Sequence, residues 1–288
     1  MTATSSPRLR AGVMGWPVAH SLSPVLHGHW LKRYGIDGSY EAFPVRPEDL
    51  AEAISGLRRD GLRGTNLTVP HKEAAMALVD NVDETAQRIG AVNTLFMTPD
   101  GTLNATNTDA YGLIENIRAA APDALEGRFG GKPVVILGAG GAARAAVVGL
   151  ADIGVSEIRI VNRTVARAES LAGIVSDQDV VVRALDWEKR DEALAGAGLL
   201  VNTTTLGMEG QAPLHINLDS LSEAAVVNDI VYAPLETELL SAARARGNPA
   251  VDGLGMLLHQ ARAGFREWFG VDPEVDDDLR NAVLAARG

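Results

Sequence analysis

Cysteine is absent from the 288-residue sequence. Its absence excludes disulfide bonds, thiolate catalysis and metal sites with cysteine ligands. Six histidines remain as possible ligands. No two of them stand four residues apart, the spacing that places two imidazoles on one helix face. We therefore expect no metal site.

Blocks of basic residues and long apolar runs are also missing. The 26 lysines and arginines are outnumbered by 37 acids, which gives a formal charge of −11 and disfavours nucleic acid or an anionic membrane as partner. No run approaches the roughly eighteen apolar residues of a membrane span, and residues 1–10 contain no apolar segment typical of a signal peptide. We expect a cytoplasmic protein, a monomer or homodimer, with a small-molecule partner.

The most informative segment that is present begins at Val134. Apolar residues run from there into Gly138, Ala139, Gly140, Gly141 and Ala142, followed by an alanine-rich helical pattern. In a G-x-G-x-x-A turn the glycines permit a tight bend and the close approach of a diphosphate to a helix N-terminus. A second predicted strand, Glu157–Asn162, follows at the distance of a βαβ unit. The segment predicts a dinucleotide site.

The end of that second strand indicates which dinucleotide binds. A fold that selects NAD has a carboxylate there, on the ribose hydroxyls, and this sequence has Asn162-Arg163-Thr164 instead. Arg163 can bind a 2′-phosphate through charge-assisted hydrogen bonds, Thr164 can add a hydroxyl or cap the next helix, and Arg167 lies one turn further on. NADP is favoured. A solvated arginine pair beside a helix start is the alternative.

Strands and helices alternate before the glycine motif, which predicts a parallel-rich sheet with helices on both faces. Ser23-Pro24 predicts a helix with Ser23 as its N-cap, and Pro70 predicts another helix start. Polar side chains follow the predicted strands, where ligands bind in such sheets; they are Ser21, Ser23, Asn66, Thr68, Lys72, Asn93, Asn107 and Asp109. Beyond Gly253 we expect two helices, Leu254–Phe269 and residues 273–287, packed on the first domain.

These motifs together resemble the shikimate dehydrogenase family over nearly the whole chain. They are residues 15–24 (GWPVAHSLSP), 66–72 (NLTVPHK), 90–94 (GAVNT), 107–109 (NTD), 138–142 (GAGGA), 162–164 (NRT) and 252–261 (DGLGMLLHQA). The resemblance implies an α/β fold with a substrate-binding and catalytic domain at 1–108, joined by C-terminal helices 254–288, and a Rossmann-like dinucleotide-binding domain at 109–253. It also implies reversible NADPH-dependent reduction of 3-dehydroshikimate to shikimate, an oxidoreductase step of chorismate and aromatic amino acid biosynthesis.

The resemblance assigns roles to individual residues. Ser21 and Ser23, aided by Tyr232, would bind the substrate carboxylate. The ring hydroxyls would be bound by Asn66, Thr68, Asn93, Asp109 and Gln260. Lys72, also in contact with substrate, would form the catalytic pair with Asp109. Besides the glycine turn and the arginines, Asn162, Thr203 and Gly253 would contact the cofactor.

Two residues depart from the family pattern, and some alternatives stay open. Ala110 stands where glycine is common, and Trp16 stands where a smaller or polar residue is frequent. Trp16 leaves the breadth of substrates open, so quinate/shikimate and aminoshikimate dehydrogenases remain alternatives, as does a non-catalytic ligand sensor. The pKa of Lys72 is also open, because desolvation would lower it and Asp109 would raise it.

Overall fold

The structure is a computed structural model that describes residues 8–287. Most of the N-terminal segment that argued against a signal peptide lies outside these residues. The chain divides into two compact units, one made of the described residues up to Thr108 and from Gln260 onward, the other of Asp109–His259. Within residues 8–287 no helix is both long and apolar enough to span a bilayer, and no group of three or more His, Asp or Glu could hold a metal ion.

The first unit contains a six-stranded sheet with helices packed against it. In chain order the elements are β1 (Leu9–Gly15), α1 (Ser23–Arg33), β2 (Gly38–Pro44), α2 (Leu50–Gly56), β3 (Gly64–Leu67), β4 (Asn81–Val82), α3 (Glu84–Ile89), β5 (Thr94–Met97) and β6 (Leu103–Thr106). The strand order is β2-β1-β3-β5-β6-β4. The β1–β2, β1–β3 and β4–β6 pairs are parallel. The β3–β5 and β5–β6 pairs are antiparallel. A tight turn at Gly101 joins β5 to β6, which antiparallel neighbours permit.

The helix predicted at Ser23-Pro24 forms, but its predicted N-cap and the helix start predicted at Pro70 are wrong. The N-cap of α1 is Leu22, not Ser23, and it has no side-chain cap bond; instead the Ser23 N–H donates to Ser21 Oγ over 3.3 Å. No helix begins at Pro70. The chain turns there, with the His71 N–H donating to Thr68 O over 2.9 Å, and buried His71 Nε2 lies 2.8 Å from Val45 O. A 3₁₀ turn follows only at Ala74–Leu78.

The second unit contains a six-stranded sheet in which all the pairs are parallel. Its elements are α4 (Asp109–Ala120), α5 (Pro122–Glu126), β7 (Val134–Leu137), α6 (Gly141–Asp152), β8 (Glu157–Asn162), α7 (Val165–Ala172), β9 (Val181–Asp186), α8 (Arg190–Ala193), β10 (Leu199–Asn202), β11 (Val226–Asp229), α9 (Glu238–Ala245) and β12 (Ala250–Val251). The strand order is β12-β11-β10-β7-β8-β9. This is the doubly wound order of dinucleotide-binding domains, with its switch point between β7 and β10.

The C-terminal helices are α10 (Leu254–Phe269) and α11 (Asp277–Ala285). The bounds of α10 are as predicted, and α11 begins later than expected because Asp276 caps it, accepting from the Leu279 N–H over 3.0 Å. Trp268 Nε1 donates to Leu95 O over 2.9 Å, and Trp30 Nε1 donates to Glu274 O over 2.9 Å. The described residues from Gln260 onward therefore pack within the first unit.

His27 of α1 lies in an aromatic cluster of the first unit. Its ring stacks on Tyr40 with centroids 3.9 Å apart and also contacts the rings of Trp30, Phe265 and Trp268. The residue is 0% exposed, and among the described residues neither ring nitrogen has a hydrogen-bond partner. Burial lowers the pKa of His27 to about 3, so the ring is neutral at pH 7.

Candidate active site

Buried side chains in the first unit form a continuous series of hydrogen bonds that starts at Tyr40. The Tyr40 hydroxyl donates to Asn66 Oδ1 over 2.6 Å. Asn66 Nδ2 in turn donates to Asn93 O and to Thr94 Oγ1, each over 3.0 Å. Both amide hydrogens of Asn66 are therefore engaged, and a ligand can be bound only through its oxygen.

The series continues to α10. Thr94 Oγ1 donates to Asn93 Oδ1 over 3.0 Å, which also accepts from the Thr108 N–H over 2.9 Å. Asn93 Nδ2 donates to Thr108 Oγ1 over 3.0 Å, and Thr108 Oγ1 in turn donates to Gln260 Oε1 over 3.2 Å. We call Tyr40, Asn66, Thr94, Asn93, Thr108 and Gln260 the polar chain. Because all its bonds can run in one direction, each polarises the next and the side chains are fixed in orientation.

Ser23 joins the start of the polar chain. Ser23 is 8% exposed and makes a side-chain hydrogen bond with Tyr40. Burial raises the pKa of Tyr40 well above its ordinary value, so its hydroxyl stays protonated and able to donate. Ser21 is half-buried, and its Oγ accepts from the Ser23 N–H. The two predicted serines therefore lie side by side, with Ser23 linked to Asn66 through one phenol.

Backbone contacts hold the segment that carries Lys72. The Val92 N–H donates to Lys72 O over 2.8 Å, and the Thr68 N–H donates to Met14 O over 2.9 Å. Lys72 thus follows a fixed turn and is tied beside Asn93. Its side chain is half-buried, as are those of Thr68 and Asp109.

Asp109 is the first residue of α4 and directly follows Thr108 of the polar chain. The preceding Asn107 has a structural role, since its Nδ2 donates to Ala91 O over 2.9 Å. Ala110, one of the two departures from the family pattern, is 5% exposed. It packs against α6 at Gly149, where an added Cβ would lie 3.4 Å from the Ala110 Cβ. The helix interface therefore accommodates alanine.

The glycine turn of the second unit has the shape that a diphosphate requires. Gly138 adopts a φ of +103°, and a Cβ there would lie 2.9 Å from Thr203 Oγ1. Positions 140 and 141 are open, with no atom within 4 Å of an added Cβ. The turn leads into the 12-residue helix α6, whose first N–H groups and positive dipole end favour an anion.

Residues of the neighbouring strand ends lie around this turn. The Thr203 N–H and Oγ1 both donate to Leu137 O, over 3.0 and 2.6 Å, so Thr203 is held directly beside Gly138. At the end of β8, Asn162 Nδ2 donates to Thr164 O over 2.8 Å. Thr164 is the N-cap of α7 but makes no side-chain cap bond. Arg163 and Arg167 are exposed, and in the described part of the chain neither guanidinium has a hydrogen-bond or ion-pair partner.

Three features of the second unit fit NADP. Open glycines lie at the N-terminus of α6, exposed cations follow β8, and no carboxylate stands at the end of that strand.

Backbone packing accounts for the glycine at position 253. It is buried, and a Cβ there would lie 2.1 Å from Ile230 O, so close backbone packing already requires glycine. Tyr232, two residues beyond Ile230, is 36% exposed.

Three members of the polar chain, Tyr40, Thr94 and Thr108, link the predicted residues but are not predicted by any pattern in the sequence. Their partners lie far away in sequence, with Tyr40 separated from Asn66 by 26 residues and Thr108 from Gln260 by 152. Thr94 and Thr108 do adjoin Asn93 and Asn107, which is the one local signal that could have indicated them.

Known proteins are similar to this chain along most of its length. Three family models match: the shikimate dehydrogenase substrate-binding domain at residues 13–95, shikimate / quinate 5-dehydrogenase at 120–207, and the shikimate 5′-dehydrogenase C-terminal domain at 253–280. Shikimate dehydrogenase (NADP⁺) of Paramagnetospirillum magneticum is 57% identical over 275 residues, covering 96% of this chain and 98% of the relative.

Solved structures match the fold as well. Shikimate 5-dehydrogenase of Thermus thermophilus, in complex with NADP(H) and shikimate, is 39% identical with a TM-score of 0.82, covering 96% of this chain and 99% of that one. Quinate dehydrogenase of Corynebacterium glutamicum, in complex with NAD, is 30% identical with a TM-score of 0.88, covering 96% and 99%. By its family models and by its identity to a named member over nearly its whole length, this chain belongs to the shikimate dehydrogenase family.

Proposed function

We propose that the protein catalyses the reversible, NADPH-dependent reduction of 3-dehydroshikimate to shikimate. The observation that carries the proposal is the polar chain, whose predicted members Asn66, Asn93 and Gln260 are held in fixed orientation. A site built to hydrogen-bond ring hydroxyls discriminates strongly against analogues that lack them. Membership of the shikimate dehydrogenase family supports the same reaction.

In this proposal the first unit is the substrate domain. Ser21 donates to the substrate carboxylate, and Ser23 does so by exchanging its bond to Tyr40 for one to the ligand, with Tyr232 as a further donor. The ring hydroxyls are bound by Thr68, Asp109 and the polar-chain residues Asn66, Asn93 and Gln260. The net charge of −11 gives no general attraction for an acidic substrate, so its affinity comes from these local donors and from Lys72.

Lys72 and Asp109 form the catalytic pair of the proposal. Reduction of a ketone needs a proton delivered to the carbonyl oxygen, and a protonated Lys72 supplies it from Nζ. In the reverse direction the neutral amine takes that proton from the hydroxyl. Asp109 orients the ammonium group and accepts from a ring hydroxyl. The fixed backbone of the Lys72 segment limits the positions that its ammonium can reach.

The second unit is the NADP domain of the proposal. The bound nicotinamide ring supplies the hydride. Gly138, Gly140 and Gly141, with the α6 N-terminus, cradle the diphosphate, and Ala139 and Ala142 are small enough to permit its approach. Arg163 and Arg167 bind the 2′-phosphate, while Asn162, Thr164, Thr203 and Gly253 complete the cofactor set. A cytoplasmic location and a monomeric or homodimeric state also belong to the proposal.

The test is the reduced-nicotinamide absorbance of the purified protein with NADP or NAD and one of four acids: shikimate, quinate, an aminoshikimate, or a simple hydroxy acid such as lactate. We expect rapid reduction with NADP and shikimate and much slower reduction with the other pairs. Equal rates with quinate and NAD would replace the proposal by a quinate/shikimate dehydrogenase. Ligand binding by calorimetry without any absorbance change would indicate a sensor.

A further inference from the structure

Asp229, which the proposed reaction does not use, is a buried carboxylate at the carboxyl end of β11. It is 0% exposed, and no described lysine or arginine forms an ion pair with it. Three donors converge on it instead. Asn202 Nδ2 and the Val231 N–H donate to Oδ1, each over 3.0 Å, and Thr237 Oγ1 donates to Oδ2 over 2.8 Å.

The contact with Asn202 connects Asp229 to the loop after β10. Asn202 Oδ1 accepts from the Thr204 N–H over 3.1 Å and from Thr204 Oγ1 over 2.7 Å. Asn202 Nδ2 also donates to Leu206 O over 3.2 Å. The segment 203–206 is therefore tied to Asn202, and Asn202 is tied to Asp229. This segment begins with Thr203, which is held beside the glycine turn.

The other two contacts connect Asp229 to the loop that carries Tyr232. The Val231 N–H fixes the residue before Tyr232, and Thr237 closes the loop as the N-cap of α9, accepting from the Leu240 N–H. A second link joins the two loops directly, since the Glu209 N–H donates to Ala233 O over 2.7 Å. Both loops leave the carboxyl ends of adjacent strands, β10 and β11.

Burying a carboxylate at this position lowers the stability of the fold, so its presence indicates that the positions of its two oxygens are needed. Burial raises the pKa of Asp229 above its ordinary value, because no cation offsets the lost hydration. An apolar residue would avoid that penalty but would leave the three donors unpaired. Only a carboxylate offers two oxygens, both acceptors, to donors that arrive from both loops and from the α9 cap.

We propose that Asp229 is a positioning residue. It fixes the position of segment 203–206, the Thr203 loop, relative to residues 230–237, the Tyr232 loop. The inference rests on the proposed function, in which Thr203 contacts the cofactor and Tyr232 contacts the substrate carboxylate. Asp229 touches neither ligand. It acts on both through the two loops, whereas Asn202 acts on the cofactor loop alone.

The experiment compares the KM values for shikimate and NADP in variants of the full-length protein. Asp229→Ala removes all three contacts, and we expect it to raise both KM values about tenfold or more. Asp229→Asn keeps an acceptor for Asn202 and Val231 but places an amide nitrogen where Thr237 donates, so it should restore only part of the affinity. Asn202→Ala leaves Val231 and Thr237 in place and should raise the KM for NADP alone, which also provides a test if Asp229→Ala does not fold.

A double-mutant cycle separates positioning from a general loss of stability. Tyr232→Phe should raise the KM for shikimate in the wild-type background and have little further effect in the Asp229→Ala background. The matched control is Asn248→Ala. Asn248 is 4% exposed and donates to three backbone carbonyls of residues 222–225, ahead of β12 and away from the carboxyl ends of the strands. Its loss should lower stability but leave both KM values within about twofold of wild type.

Several results would overturn the inference. Additive effects of Asp229→Ala and Tyr232→Phe would show that Asp229 does not act through Tyr232. Equal KM changes for Asn248→Ala and Asp229→Ala would reduce its role to stability. A Tyr232→Phe variant with an unchanged KM for shikimate would remove the proposed role of Tyr232 and the inference with it. Failure of the proposed function itself has a different signature, since the wild-type protein would then not oxidise shikimate.

Discussion

The Tyr40 hydroxyl donates to Asn66 Oδ1 over 2.6 Å while Ser23 makes a hydrogen bond with the same phenol. One buried tyrosine therefore joins a serine proposed to bind the carboxylate to an amide proposed to bind a ring hydroxyl. Neither serine nor amide can change orientation without breaking a bond to Tyr40. If these proposed roles hold, the position of the substrate ring relative to its carboxylate anchor depends on this phenol.

Tyr40→Phe should lower kcat/KM for shikimate about 5- to 30-fold, the equivalent of about 1–2 kcal/mol for lost buried hydrogen bonds. Steady-state kinetics measure the effect. Tyr34→Phe is the matched control, because the Tyr34 hydroxyl accepts from the exposed Glu274 N–H over 3.0 Å and has no contact with the polar chain. Equal losses in the two variants would contradict the role of Tyr40.

Arg163→Ala should weaken NADP binding about 10- to 150-fold, since one charge-assisted contact contributes about 1.5–3 kcal/mol. Residual use of NAD should be nearly unchanged, because NAD has no 2′-phosphate. Calorimetric titration with each dinucleotide checks both statements. Arg183→Ala, which removes an exposed arginine that pairs with Glu157, should alter neither affinity. A parallel loss of NAD binding in Arg163→Ala would show that this arginine does not contact the phosphate.

Lys72→Met keeps much of the side-chain length but removes the proton donor. We expect kcat to fall by about 10²–10⁴, with a much smaller change in shikimate affinity, because proton transfer matters in the transition state. Single-turnover rates and equilibrium titration separate the two quantities. Should KM rise by the factor by which kcat/KM falls, with kcat intact, Lys72 would be a binding residue only.

Buried His27 should make the stability of the folded protein sensitive to acid. Its pKa is lowered from 6.5 to about 3 in the folded protein, so folding disfavours the protonated ring. The contribution of His27 to stability is complete above the unfolded value and is lost as pH falls from about 6.5 toward 3. Relative to His27→Phe, the wild type should lose about 1.4 kcal/mol of unfolding free energy per pH unit in this window. Denaturant unfolding from pH 7 to 4 measures this difference, and parallel profiles would contradict it.

The parts of the fold set by local pattern are the parts that could be predicted. Strand Glu157–Asn162 and helix Leu254–Phe269 have the expected bounds, since apolar runs and helical spacing are visible in short windows. The helix expected at Pro70 does not form, because buried His71 turns the chain toward Val45, a contact 26 residues away. No local signal carries that information.

The candidate site, like the fold, could be predicted only in the parts that a local pattern indicates. Residues such as Asn66 and Asn93 could be singled out because polar side chains at strand ends are conspicuous. Their orientation depends on Tyr40, Thr94 and Thr108, whose hydroxyls become relevant only when β2, β5 and the part of α10 from Gln260 onward are assembled in one unit. Asp229 could not be predicted for a similar reason, since it is the last residue of a buried strand and two of its donors, Asn202 and Thr237, lie in other segments.

The discontinuity of the first unit has a consequence for synthesis. Trp30 donates to Glu274 and Leu95 accepts from Trp268, so the core of this unit closes with residues that follow the whole second unit in the chain. Every strand of the second unit emerges before them. During synthesis, Trp30 and Leu95 therefore remain without Glu274 and Trp268 until every strand of the parallel sheet has been made.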